Sequence, residues 1–378
     1  DCRKMVKNKI IKKLCNQVKI TLHIMKNTIK SNSKEISKMQ FSTDGKLKHL
    51  LTLKGISKTL LTTLLNKSET YLSPDGNNPI NSDELHGTTI ANLFFEPSTR
   101  TRVSFGTAFN LLGGLVRETT GMQTSALAKG ESLYDTARVI SSYADVVAMR
   151  HPDANSVAEF ATGSTVPVIN GGDGPNEHPT QALLDLLTIE KELHRFDRKI
   201  DGMHIALVGD LKYGRTVHSL SKLLCHYKDV KFTMVSPDGL QMPDYVLDAV
   251  TNSGHQIELV NKMEGNLAAD IVYQTRIQEE RFPSQEEANK YRGGFKISQA
   301  IYDAHCNKNS VLMHPLPRDS RGDANELDND LNNNDNLAIF RQVQNGVIAR
   351  MALFALTLGV ENLVDKYETE VPWYSAKK

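Results

Sequence analysis

Two α/β units, each with a parallel sheet of Rossmann-like pattern and with the ligand cleft between them, are what the sequence predicts. Three observations carry that reading. Short apolar runs recur, and each ends in a polar or glycine-rich turn, as strands of a parallel sheet do. Helically spaced segments lie between those runs. The alternation is interrupted once, by the amphipathic stretch HPTQALLDLLTIEKEL at His178–Leu193, and then begins again; 378 residues suffice for two domains.

Taken in order, the chain opens on a Lys- and Asn-rich segment, residues 1–39, without Gly or Pro. It reads as a basic leader or as an added solvated helix, and the former leaves organelle targeting open. Leucines at helical spacing mark Gly55–Leu72. Thr89–Phe94 reads as a buried strand, as do VVAMRHP (Val146–Pro152) and TVPVINGG (Thr165–Gly172). After the helix at His178–Leu193 come a strand at Met203–Asp210, a helix at Gly214–Tyr227, and strands at Lys231–Pro237, Ala269–Thr275 and Ser310–Arg318. The asparagine-rich Asp319–Asn336 reads as a surface loop. Asn336–Gly359 reads as a long terminal helix. These elements divide into a first unit, 40–185, completed by a terminal helix at 340–370, and a second unit, 186–339.

Composition narrows the function classes. The net charge is +1, so nothing global calls for a nucleic-acid partner. No uninterrupted apolar run of 18 residues is present to span a membrane. Four cysteines, none closely spaced, fit neither a zinc knot nor a disulfide framework and suit a reducing compartment, the cytoplasm. Metal-ligand spacing is absent, and no cofactor is called for.

The polar stretch FFEPSTRTRVSFGTAF at Phe94–Phe109 is the richest. Pro97 and Ser98 make a helix start with Ser98 as N-cap. Val103, Phe105, Phe109 and Leu112 are expected to be buried before Gly113–Gly114 ends the helix. The first-turn N–H groups can bind an oxyanion. Arg100 sits badly beside the positive end of a helix dipole unless an anion joins it. The segment is therefore an anion site or a charged cap. Arg150 and His151 close another strand. His178 and Gln181, three apart, share a helix face and can address a carbonyl and an amide; the alternative is that His178 simply caps its helix. Arg215 follows GDLKYG, which lacks the G-x-G-x-x-G fingerprint. Arg276 ends a further strand; alone it is surface decoration, but paired with Arg215 it could fork onto a dicarboxylate. Ser125 and Lys129 lie in a small-residue loop as candidate anion ligands, or Lys129 is simply solvated.

Together, FFEPSTRTRVSF, AKGE, VAMRHP, GDGPNEHPTQALLD, VGDLKYGRTVHSL, TRIQEERF and HPLPR resemble the aspartate carbamoyltransferase catalytic-chain family, from about Gln40 to Val364. Each piece is modestly specific, and the ordered set is highly so. The resemblance implies transfer of a carbamoyl group from carbamoyl phosphate to L-aspartate in pyrimidine biosynthesis. By motif, Ser98, Arg100 and Thr101 would hold the phosphate, and Arg150 would bridge phosphate and carbonyl. His178, Gln181 and the backbone of Leu316 and Pro317 would contact the carbamoyl group. Arg215, Arg276, Gln278 and Lys129 would bind aspartate. Ser125 and Lys129 would belong to a loop reaching a neighbouring subunit's site, within a homotrimer that shares active sites. No cofactor or metal is implied, and a regulatory partner is left unassigned. The chain departs from the family in having Ala128 where a second lysine is frequent, and in its expanded asparagine-rich stretch. An ornithine-specific enzyme is disfavoured by HPLP and the paired arginines. An inactive subunit should have lost a site group, and an oxidoreductase should show the glycine fingerprint.

Overall fold

The computed structural model describes residues 34–76, 78–121, 126–322, 324–363 and 369–370. Most of the basic leader and Ser125 lie outside them. Within the leader only 34–39 are described, as a helical turn and a half.

The first sheet has four parallel strands: β1 (Thr89–Phe94), β2 (Leu115–Thr120), β3 (Val146–His151) and β4 (Val168–Asp173), in spatial order β2-β1-β3-β4. β3 and β4 are buried along their whole length, which is why each starts as an apolar run before its polar or glycine-rich end. The edge strand β2, LVRETT, is largely exposed and has no such signal. The helices of this unit are α1 (Lys58–Glu69), α2 (Thr99–Leu111), α3 (Leu133–Ile140) and α4 (Ser156–Gly163).

α5 (Pro179–His194) then leads to the second sheet. The amphipathic pattern expected of it is not what is found. Twelve of its sixteen residues are buried, among them Asp185, Thr188 and Glu192 on what would have been the polar side. Neighbours from both units cover this helix, and the boundary expected at 185/186 lies inside it. The second sheet holds β5 (His204–Val208), β6 (Lys231–Val235), β7 (Gln256–Val260), β8 (Ile271–Gln274) and β9 (Val311–Met313). All are parallel, in order β9-β8-β5-β6-β7. Its helices are α6 (Arg215–Leu224), α7 (Asp244–Asn252), α8 (Gln285–Asn289) and α9 (Gln299–His305). The terminal helix α10 (Ile339–Leu358) packs back on α5, α2 and α1. One apolar core consequently runs from the first sheet through α5 and α10 into the second.

Two expectations about burial are corrected. Val103 is 52% exposed, whereas Phe105, Phe109 and Leu112 are buried. Phe105 and Phe109 both meet Phe354 of α10 edge-on; Val103 turns away from that contact. The asparagine-rich stretch is not simply a surface loop either. Leu327 and Leu331 are fully buried, Leu327 bridges to Ile297, and Glu326 is buried beside His314. Two leucines at a spacing of four anchor a segment whose other side chains are mostly polar.

Candidate active site

In an open parallel sheet, ligands gather where neighbouring strands send their connections in opposite directions. In the first sheet that point lies between β1 and β3, whose ends carry 95–101 and Arg150. In the second it lies between β5 and β8, whose ends carry 209–215 and 275–281. The two points face one cleft of about 500 Å³. Ser98, Arg100, Thr101, Arg150, His178, Gln181, Arg215, Arg276, Gln278, Leu316 and Pro317 all line it. Lys129 does not; it is exposed at the end of a 3-10 turn, Ala126–Lys129. Lys212, expected near Arg215, is exposed and also outside this cleft.

The first wall is the start of α2. Ser98 stands at the N-cap position, but its hydroxyl makes no cap hydrogen bond. That leaves hydroxyl and first-turn N–H groups together at the positive end of the helix, the arrangement that favours an anion. Arg100 is held below its ordinary pKa by burial and by the charges of Arg150 and Arg276. Six arginines line the cleft (Arg100, Arg150, Arg215, Arg276, Arg281, Arg350) against two carboxylates, Glu96 and Glu280. Such crowding is costly without a polyanion between the guanidinium groups.

Arg150, at the end of β3, is set by Glu96: Nε donates to Glu96 Oε2 at 2.9 Å, and Nη1 donates to the Gly171 carbonyl at 3.4 Å. Gly172, at φ 121°, lets the arginine approach; a Cβ there would stand 3.2 Å from Nη1. His178 is the N-cap residue of α5, again without a cap bond from its side chain. Its Nδ1 lies 3.4 Å from the Thr180 hydroxyl. Burial, then Arg150, Arg215 and Arg350, drive its pKa well below the ordinary imidazole value. The ring is thus neutral, a hydrogen-bond donor rather than a cation.

Arg215 begins α6 and donates to the Gly174 carbonyl across the cleft. Burial, with Arg150 and Arg281 nearby, brings its pKa down to about 10. Arg276 donates to the Ile277 carbonyl at 3.0 Å and pairs with Glu280. The loops that carry these two arginines are tied by buried Asp210, which accepts from the backbone N–H of Tyr213 at 2.9 Å and of Gln278 at 3.0 Å. They also touch backbone to backbone: Gly209 has φ 106°, and a Cβ there would lie 2.5 Å from the Thr275 carbonyl oxygen.

The floor is the HPLP loop. The Leu316–Pro317 bond is cis and Leu316 has φ 56°. The Leu316 N–H donates to His314 Nδ1 at 2.8 Å, which leaves the ring proton on Nε2, 2.8 Å from Glu326 Oε1. Sequence reasoning passed over Glu96, His314, Glu280, Arg281 and Arg350. Arg350 had a signal, a single arginine within the apolar run NGVIARMALFALTLG. It is buried, donates to Ser104 Oγ at 3.1 Å and the Gly346 carbonyl at 2.7 Å, and stacks 4.8 Å from the Phe105 ring. Among the described residues, no group of three or more His, Cys, Asp or Glu side chains is placed to hold a metal ion. None of the described helices is long and apolar enough to cross a membrane.

The chain is similar to known proteins along most of its length. Residues 48–191 match the family model described as aspartate/ornithine carbamoyltransferase, carbamoyl-P binding domain. Residues 201–357 match aspartate/ornithine carbamoyltransferase, Asp/Orn binding domain. An aspartate carbamoyltransferase catalytic subunit of Cellvibrio japonicus is 64% identical over 293 residues, covering 77% of this chain and 87% of the relative. The one from Dichelobacter nodosus is 48% identical, covering 84% and 92%. Among solved structures, the catalytic subunit of M. jannaschii aspartate transcarbamoylase is 39% identical with a TM-score of 0.73, covering 83% of this chain and 98% of that one. The Trypanosoma cruzi aspartate transcarbamoylase in complex with carbamoyl phosphate is 35% identical with a TM-score of 0.73, covering 82% and 96%.

Proposed function

The chain belongs to the aspartate/ornithine carbamoyltransferase family, and from that premise we propose which of its residues carry out the reaction. The reaction itself is transfer of the carbamoyl group of carbamoyl phosphate to the amine of L-aspartate, in pyrimidine biosynthesis. One observation supports the assignment of roles: an oxyanion-binding helix start and a pair of arginines occupy facing switch points of two sheets.

Phosphate is held by the first-turn N–H groups of α2 with Ser98, Arg100 and Thr101. Arg150 spans phosphate and carbonyl. Thr101, Arg150 and neutral His178 donate to the carbonyl oxygen, and their hydrogen bonds strengthen as that oxygen becomes negative. Gln181 and the backbone of Leu316 and Pro317 contact the carbamoyl group. Arg215, Arg276 and Gln278 take the aspartate carboxylates, with charge-assisted forks that a cationic acceptor side chain could not use. The neutral aspartate amine attacks the carbamoyl carbon, forming the C–N bond. The tetrahedral species then breaks its bond to the phosphate oxygen, and the departing phosphate takes the amine proton, so no protein base is required. Closure of the cleft brings the reactants together and excludes water that would hydrolyse the activated group.

Lys129 and Ser125 complete the site from a neighbouring copy in a homotrimer. The exposed position of Lys129, and the exposed Tyr134, Val139 and Tyr143 on and after α3, support that arrangement. The reading places 40–185 with the terminal helix as the carbamoyl-phosphate unit and 186–339 as the aspartate unit. It places the enzyme in the cytoplasm, which suits the free thiols of Cys225 and Cys306.

The deciding assay supplies carbamoyl phosphate with L-aspartate or L-ornithine. Product from aspartate alone is expected, and product from ornithine alone would overturn the reading. Mixing Lys129→Ala with Arg100→Ala protein after reversible dissociation tests sharing: activity reappears in hybrids if the site is built from two copies.

A further inference from the structure

Asp185 has no role in the reading above, yet its surroundings are built around it. It is fully buried on α5, one turn beyond Gln181. Its Oδ1 accepts from Gln181 Nε2 at 2.9 Å and from Gln342 Nε2 at 2.6 Å. Its Oδ2 accepts from the Tyr273 hydroxyl at 2.7 Å. The three donors come from α5, from α10 and from β8 of the second sheet. The orientation of Gln342 is fixed independently, because its Oε1 accepts the backbone N–H of His314 at 3.1 Å, so its nitrogen must face Asp185.

An ionised carboxylate can only accept. Gln181 is thereby obliged to give its nitrogen to Asp185. Its Oε1 has no donor among the described residues and belongs to a side chain that lines the cleft. Without such a partner an amide in this position could turn over, presenting N–H groups instead of the oxygen. We propose that Asp185 is a positioning residue: it fixes the Gln181 amide so that Oε1 faces the cleft as the acceptor for the NH2 of the carbamoyl group. Gln181 then reads the group being transferred, and the phosphate cradle is read separately by α2. Burial pushes the Asp185 carboxyl up to about 6, and its three donors oppose that rise, which keeps it an acceptor at neutral pH. The inference rests on the placement of Gln181 beside the carbamoyl amide.

The test compares two phosphonates on the full chain at pH 7.5 by calorimetry. Phosphonoacetamide carries the amide, and methylphosphonate lacks it. Gln342 holds its nitrogen toward Oδ1, the atom that Gln181 also meets, so the conservative Asp185→Asn keeps an oxygen at that point and discrimination is expected to stay within about threefold of the parent. In the double variant Asp185→Asn with Gln342→Glu, the carboxylate at position 342 draws the new amide's nitrogen to that same point, and Gln181 turns its own N–H groups to the cleft. Phosphonoacetamide is then expected to bind about tenfold more weakly, the effect of losing one oriented hydrogen bond, and methylphosphonate to bind as before. In the double variant, equal weakening of both ligands, or no change in either, overturns the proposal. Asp185→Leu, which removes the acceptor, is read with the same expectation should the double variant fail to fold. Gln181→Ala separates the two layers. If it leaves discrimination intact, the placement of Gln181 is wrong. If it abolishes discrimination while the double variant does not, only the role of Asp185 fails.

Discussion

Arg276 Nη1 donates to Glu280 Oε2 at 3.0 Å, and its Nη2 reaches the other oxygen of the same carboxylate. The pair lies in the loop after β8, at the mouth of the second switch point. Glu280 holds the guanidinium plane and shares its charge with an incoming acid. A lysine at this position would keep the charge and lose the planar fork. Arg276→Lys is expected to raise KM for aspartate by about tenfold or more, with the dissociation constant of carbamoyl phosphate within about twofold. Steady-state kinetics together with direct binding would check it; equal losses for both substrates would place Arg276 elsewhere.

His178 is neutral and buried among arginines, so its contribution is a donated N–H. Removing one donor to a developing oxyanion costs roughly 10²–10³ in kcat. His178→Ala should show a loss of that size. In the parent enzyme, kcat should show no inflection from His178 where a free imidazole titrates, since the folded ring stays unprotonated far below that range. An inflection there that His178→Ala removes would contradict the neutral-donor role.

Phe105 and Val103 were expected to share a buried face and do not. Phe105 contacts Phe94 and Phe354, and the Arg350 guanidinium lies over its ring. Phe105→Ala should cost about 3–5 kcal/mol. Val103→Ser should stay within about 0.5 kcal/mol of the parent. Denaturant unfolding measures both; similar losses would put Val103 back in the core.

Acid should unfold this protein in a definable window. His49 accepts the Val168 N–H on Nδ1 at 3.0 Å. His218 lies between the Tyr245 hydroxyl at 2.9 Å and the Leu211 carbonyl at 2.7 Å. Burial lowers both to about 4. Because the unfolded chain takes up these protons first, the stability of the neutral rings is complete above pH 6.5 and is lost as pH falls to 4. Each ring loses about 3 kcal/mol over that range, at about 1.4 kcal/mol per pH unit. Asp185, raised to about 6, acts oppositely, adding about 3 kcal/mol as pH falls through the same window. Among these three groups the net loss is about that of one histidine, and buried His178, also lowered, adds to it. Glu279, lowered to about 2, keeps its contribution through this window and loses it only in stronger acid, as pH falls from 4.5 toward 2. Urea midpoints at pH 7 and pH 4.5 should therefore differ, and His49→Asn, which can still accept from Val168, should narrow the difference.

Strands β1, β3, β5 and β8 were legible because burial on both faces demands unbroken apolar runs, and their limits follow the polar turns that carry the chemistry. β2 and β7 were not, since an edge strand with an exposed face has no reason to be apolar. Similarly, the arginines at strand ends were visible as residues out of place beside a helix start or a turn. Glu96, Glu280 and Asp185 were not, because a carboxylate in a loop or on a helix is ordinary until its partners are known.

The local vocabulary belongs to the sequence: which segments are strands, where α2 begins, and which cations lie at the ends of elements. Periodicity, turn residues and caps act over a few positions, and a chain carries those rules on its face. What only the tertiary structure decided is who meets whom. Strand order sets the two switch points opposite each other, so Arg100 and Arg276, 176 positions apart in the sequence, repel across one cleft. The same packing buries the polar side of α5 and gives Asp185 donors from three elements. Such relations depend on distance in space and on the exclusion of water, neither of which is written in the order of the residues.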